Sequence, residues 1–134
     1  MTIAPAALDA IRTHAAEARP RECCGLLVGV GGAILRAVRA GNLAPDPNRY
    51  LIDPADHVRA IREARAGGLD VVGFYHSHPH SAADPSPTDL AEGSDAESVY
   101  LIAGVRDGRE DVRLFRLRRG IAEEVTLTLS APST

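Results

Sequence analysis

Three side chains in the segment from Gly73 to Asp89 could bind one metal ion: His76, His78 and, eleven residues beyond the second histidine, Asp89. Neutral imidazole and carboxylate are donors that suit Zn²⁺. Three protein ligands leave a fourth position free for water, which the ion activates, so the spacing points to a hydrolase rather than a structural clip. Such a site also needs a base to take the proton from water. Glu22 is the leading candidate, since it sits between Pro20 and a glycine-containing apolar run where a carboxylate could face a sheet edge. Glu17, Glu63, Glu92 and Glu97 read instead as solvated charges on helices or loops.

Blander readings compete with each of these. A His-x-His pair often arises by chance, and His14, His57 and His80 read as ordinary surface or core residues. Ser86-Pro87-Thr88-Asp89 also makes a good helix start, with serine as N-cap, proline at the first position and an acid at the third. Capping alone could explain Ser86 and Asp89.

The elements that must position these groups can be read from periodicity. Pro5 to Ala18 has helical spacing, with Leu8, Ile11 and Ala15 on one stripe. Cys23–Gly29 reads as a buried strand, and Gly31-Gly32 as a hairpin turn into a second strand, Ala33–Ala40. Asn42 to Asn48 is a loop and Arg49–Ile52 a short strand. Asp53 caps a helix running through Ala66 and stopping at Gly67-Gly68. Leu69–His78 is the central strand. Residues two apart on a strand share a face, so His76 and His78 project together while Ser77 points away. The proline-rich stretch from Pro79 to Pro87 leaves the sheet, and a short helix from Pro87 to about Gly93 carries Asp89 in its first turn. Val99–Ala103 reads as a buried strand, Gly104 to Gly108 as a turn, and Val112–Leu117 and Ala122–Leu129 as alternating strands about a turn at Arg119-Gly120. The sequence predicts one α/β domain over residues 1–129 with a mixed, partly antiparallel sheet, and a disordered tail over 130–134.

Taken together, Glu22, the run Cys24-Gly-Leu-Leu-Val-Gly29, His76-Ser-His-Pro79, Ser86 and Asp89 resemble the JAMM/MPN+ metalloprotease signature. That signature is a distant glutamate, then His-x-His-Pro, six residues, serine, two residues and aspartate. The resemblance implies a curved mixed β-sheet flanked by helices, similar to the cytidine deaminase arrangement. It implies that His76, His78 and Asp89 hold Zn²⁺ with water as fourth ligand. Glu22 would take that water's proton and pass it to the leaving amine, and Ser86 would donate a hydrogen bond to the oxyanion. It also implies a substrate, the C-terminal tail of a ubiquitin-like or sulfur-carrier protein cut at a peptide or isopeptide bond. The chain is compact, as in the small bacterial and archaeal members. The alternative is a non-catalytic MPN-type scaffold that binds partner proteins; such members usually lack some ligands, and this chain has the full set.

Composition narrows the rest. The chain has 134 residues, one domain's worth, and is 45% hydrophobic with no tryptophan, so its core is aliphatic. The net charge of −3, from 15 basic and 18 acidic residues mixed along the chain, gives no electrostatic reason to expect nucleic acid. The locally basic run from Asp111 to Arg119 reads as the polar face of a strand. No apolar stretch approaches the ~20 residues that span a bilayer, and no signal peptide is evident, so a cytoplasmic location is the default expectation. Cys23 and Cys24 are adjacent, too close for a disulfide, and read as small buried apolar residues. Strand edges and the helix after Asp53 are surfaces through which a homodimer could form.

Overall fold

The computed structural model describes residues 1–92, apart from the Glu92 side chain, and residues 97–131. Its elements are β1 (Thr2–Ile3), α1 (Pro5–Ala18), β2 (Cys24–Val30), β3 (Ala33–Ala40), α2 (Pro54–Ala66), β4 (Asp70–Ser77), α3 (Pro87–Glu92), β5 (Val99–Arg106), β6 (Arg109–Arg118), β7 (Ile121–Val125) and β8 (Thr128–Leu129). All the strands join one mixed sheet in the order β7-β6-β5-β4-β2-β3-β1-β8. The two edge strands, β7 and β8, are separated in sequence only by Thr126 and Leu127. So short a link spans about 10 Å, roughly two strand spacings, and the sheet must therefore curl until its edges approach each other.

Helices cover both faces of the sheet. Ala7, Leu8 and Ile11 of α1 pack on one face with Leu27, Ile34, Tyr75, Val99, Leu101 and Leu114. Ala60 of α2 packs on the other with Cys24, Leu26 and Ala40, and with partly buried Val38, Ile52, Val71 and Phe74. A strand buried on both sides has no polar face, which is why β2 reads Cys-Gly-Leu-Leu-Val-Gly-Val without alternation. Gly25 is required there, because a Cβ would meet the Tyr75 ring at 2.3 Å and the Val38 carbonyl oxygen at 2.4 Å.

The centre of the sheet sets up the site. β2 runs antiparallel to β4 with Cys24 opposite His76 and Gly25 opposite Tyr75. Alternation along β4 then sends Tyr75 into the α1-side core and His76 to the α2 side. β5 runs parallel to β4, and its end reaches beyond the sheet pairing to bond the His78 N–H through the Ala103 carbonyl at 2.8 Å.

Most expected elements are present, with informative differences. The expected strand Arg49–Ile52 is a single bridge between Ile52 and Asn42, because Asn42 spends its side chain bonding the loop itself, donating to the Arg49 carbonyl and accepting from Leu51 N–H. β5 continues through Gly104 to Arg106, so the turn is only Asp107-Gly108, both with positive φ. The expected strand Ala122–Leu129 is two strands, with β8 crossing to pair in parallel with β1, itself absent from the sequence reading. Of the tail expected over 130–134, Ser130 is hydrogen-bonded through its N–H to the Ile3 carbonyl at 2.9 Å, and 132–134 lie outside the described residues. Gly93, the expected end of α3, also lies outside them.

Candidate active site

The β4 strand ends at Ser77, and Pro79 turns the chain away, so His76 and His78 stand at the lip of the sheet. Ser77 points to the opposite side, where its hydroxyl accepts the Cys23 N–H at 2.9 Å. The loop after Pro79 returns to α3, whose first turn carries Asp89. Three atoms meet there: His76 Nε2, His78 Nε2 and Asp89 Oδ2, each 3.2 Å from the other two. Donors bound at 2.0–2.1 Å in a tetrahedral site lie about 3.3–3.4 Å apart, so this triangle fits three ligands of one Zn²⁺. All three residues are buried, with 2%, 5% and 8% of their surface exposed.

The tautomer of His78 is fixed. Its Nδ1 lies 2.8 Å from the Ala82 carbonyl oxygen, which can only accept, so Nδ1 carries a proton and the neutral ring presents its Nε2 lone pair to the triangle. Asp89 is held by Ser86 in a reciprocal cap. Ser86 Oγ accepts the Asp89 N–H at 3.0 Å, and Asp89 Oδ2 accepts the Ser86 N–H at 2.9 Å. The helix-start and metal-ligand readings of Ser86 and Asp89 are therefore compatible, since one carboxylate serves both. The Ser86 hydroxyl proton is not used in this cap and can be donated.

Glu22 reaches the same place through sheet register. Cys24 is opposite His76, and Cys23 and Ser77 bond each other by Cys23 N–H to Ser77 Oγ and Ser77 N–H to the Cys23 carbonyl. The next step back sets Glu22 beside His78. Its backbone is pinned on both sides, its N–H donating to the Pro47 carbonyl and its carbonyl accepting from Asn42 Nδ2, each at 3.0 Å. A Glu22 carboxylate oxygen and ring nitrogens of His76 and His78 lie within 4.8 Å of one another. Asp89 sits closer to both rings, so the donor geometry favours Asp89 as the third ligand and leaves Glu22 at the side of the triangle. Glu22 also lines an open cleft of about 390 Å³ with Asn48, His78, Pro79, His80 and Ser86 among its walls.

The electrostatics match this arrangement. Burial pushes the Glu22 carboxyl up to about 7, with Asp89 and Asp46 adding to the shift and His78 opposing it. That places it where a proton acceptor at neutral pH must titrate. Burial pushes the His76 imidazole down, so it is neutral. Burial opposes charge on His78 too, but Asp89 and the Ala82 carbonyl outweigh it and hold its pKa up. Burial would likewise raise Asp89, but the two imidazoles and the Ser86 N–H hold it well below the usual carboxylate range.

One neighbour was not foreseen. The Tyr50 ring stacks on the His76 imidazole, with centroids 4.3 Å apart and planes 20° from parallel. Its only trace in the sequence is a lone aromatic in the expected short strand Arg49–Ile52. The remaining histidines are elsewhere: His14 bonds Tyr75, His57 meets the edge of Phe74, and His80 is exposed on the cleft rim. Cys23 and Cys24 are free and buried, and the Cys24 thiol faces the Ala40 and Gly41 carbonyls rather than the triangle. Glu17 pairs with Arg39.

A family model described as prokaryotic homologs of the JAB domain matches residues 4–118. Among curated relatives, a desampylase of Haloferax volcanii is 39% identical over 116 residues, covering 81% of this chain and 83% of its own. A probable TtuB-protein conjugate cleaving protease of Thermus thermophilus is 32% identical, covering 91% and 78%. A CysO-cysteine peptidase of Mycobacterium tuberculosis is 28% identical, covering 87% and 82%. The solution structure of a protein from Desulfitobacterium hafniense superposes with a TM-score of 0.87 at 27% identity, covering 98% of this chain and 93% of that one. A JAB1/MPN domain protein from Archaeoglobus fulgidus superposes at 0.68 with 21% identity, covering 98% and 100%, and shares the fold.

Proposed function

This chain belongs to the family of prokaryotic homologs of the JAB domain, and from that membership we infer a metallopeptidase that cuts at the C-terminal tail of a ubiquitin-like or sulfur-carrier protein. The observation that carries the reading is the 3.2 Å triangle of His76, His78 and Asp89 with the Glu22 carboxylate beside it. The relatives named for cleaving such conjugates support the substrate class.

His76, His78 and Asp89 would hold Zn²⁺. The ion, when bound, would supply Lewis-acid polarisation of the scissile carbonyl and would acidify water. Glu22 accepts the proton of the attacking water on its carboxylate and delivers it to the leaving amine nitrogen, which departs neutral. The Ser86 hydroxyl, whose oxygen is fixed by the Asp89 N–H, donates a hydrogen bond to the substrate oxygen that gains negative charge. The cleft lined by Glu22, His78 and Ser86 is open, which suits a thin glycine-rich tail. Neither Cys23 nor Cys24 takes part: burial pushes the Cys24 thiol up to about 12, far from a reactive thiolate.

The test is to incubate the protein with zinc and a β-grasp carrier protein bearing a C-terminal extension, and to follow release of the extension. Cleavage is expected from the wild type and not from Glu22→Ala or His76→Ala. Undiminished cleavage by either variant would remove the site assignment.

A further inference from the structure

The loop that carries the Ala82 carbonyl does not hold itself in place. It lies against the end of β5, where Val105 N–H donates to the Ser81 carbonyl at 2.7 Å. A Cβ on Gly104 would meet Ser81 O at 2.6 Å and Ala82 C and Ala83 N at 2.7 Å, so only glycine lets the loop approach this closely. Ala83 is fully buried. Its N–H has one acceptor, Oδ2 of Asp111 on β6, at 2.9 Å. Asp111 is itself fixed by Arg106 and Arg113, each 3.4 Å away. Both arginines also reach Asp84, but that carboxylate is exposed and bonds no backbone group of the loop in these contacts.

We propose that Asp111 is a positioning residue for the metal centre: by holding Ala83 N–H it fixes the Ala82 carbonyl, which in turn fixes the tautomer and orientation of His78. The inference rests on the metallopeptidase reading above. Asp111 touches neither substrate nor the donor triangle. Its effect passes through one peptide unit, because the carbonyl of Ala82 and the N–H of Ala83 belong to the same planar amide. Holding the N–H end therefore aims the oxygen at His78 Nδ1. The importance of such outer partners is general: a ligating histidine needs its second nitrogen held, and losing that partner weakens metal binding about 10–100-fold.

The experiment compares wild type, Asp111→Ala, Asp111→Asn and Asp84→Ala. Zinc affinity is read by competition with a chromophoric chelator, and kcat and KM on the carrier fusion. Asp111→Ala is expected to bind zinc about 10–100-fold more weakly, with kcat lowered and KM little changed. Asparagine keeps an acceptor oxygen for Ala83, so Asp111→Asn should stay near wild type. Asp84→Ala should keep wild-type zinc affinity, because it removes charge pairs but no loop anchor; as Asp84 lines the substrate cleft, only that readout serves as the control. Wild-type zinc affinity in Asp111→Ala would overturn the proposal, as would an Asp111→Asn as weak as the alanine variant. A wild type that binds no zinc would instead overturn the reading beneath it. If Asp111→Ala does not fold, the zinc-free wild type decides. Its imidazole ¹⁵N spectrum should show His78 protonated at Nδ1 and its Ala83 amide should be protected from exchange. An Nε2–H tautomer or an unprotected amide would sink the idea.

Discussion

Consecutive residues of β4 bury histidine-bonded polar groups on opposite faces of one sheet, and the two sides differ in what those groups meet. On the α1 side, Tyr75, whose ring lies in the aliphatic core, brings its Oη to 2.7 Å from Nδ1 of half-buried His14. One atom donates and the other accepts, so the pair is complete. On the α2 side, two ring nitrogens and a carboxylate oxygen converge at 3.2 Å. Where His78 is neutral and protonated at Nδ1, at least two of those three atoms present lone pairs, and one proton cannot satisfy all three edges. The histidines of the triangle are the more buried, His76 at 2% and His78 at 5% against a half-buried His14, but what most separates the two sides is complementarity. A pair that completes itself offers an ion nothing, whereas three converging donor atoms leave a place that a cation could complete.

That contrast is broken most severely by removing the cation's holders. Chelation, or His76→Ala, should abolish peptidase activity and leave the fold assembled around α1 and β4, as read by zinc content and circular dichroism. A chelated protein that kept its rate would end the metal reading. Glu22→Gln keeps the side chain's shape and should leave zinc bound while lowering kcat about 10²–10⁴-fold, the range for losing a positioned base. Loss of zinc in that variant would make Glu22 a ligand and Asp89 a cap alone. Ser86→Ala should cost about 10²–10³ in kcat if its hydroxyl steadies developing charge. It should also destabilise α3 by about 1 kcal/mol through the lost cap. If saturating zinc restores wild-type kcat to this variant, the serine acts only by holding Asp89.

The two sides were unequally legible in the sequence. His76 and His78 follow from alternation on a strand, and Ser86 and Asp89 from a helix start, because both patterns are local. Glu22 is different. Its place beside His78 depends on the register of β2 against β4, which sets Cys24 opposite His76. No spacing within the chain reports such a register, and the family signature supplied Glu22 its partners. Tyr50 and Asp111 act through contacts across 26 and 28 residues, to His76 and Ala83, and left no pattern. The curl of the sheet was also hidden. Thr126 and Leu127 interrupt an alternation that otherwise runs on, and β1, two residues long, is too short to show a period.

The smallest expected effect lies on the completed side. Tyr75→Phe removes the hydroxyl from His14 and should cost about 1–3 kcal/mol of stability, with zinc content and kcat unchanged. A pH series sharpens this. Burial pushes the His14 imidazole below its ordinary 6.5, with Arg39 adding to the shift. As pH falls through 6.5 the unfolded chain takes up a proton that the native site refuses, so the native contribution of His14 is present above that pH and lost below it. His14→Ala has no such group. Its melting temperature should therefore fall furthest short of wild type above pH 6.5, and the gap should narrow on acidification. A gap that widens in acid would mean the native side chain accepts the proton readily. The α1 side would then hold a charge of its own, and the two faces of β4 would be more alike than their geometry implies.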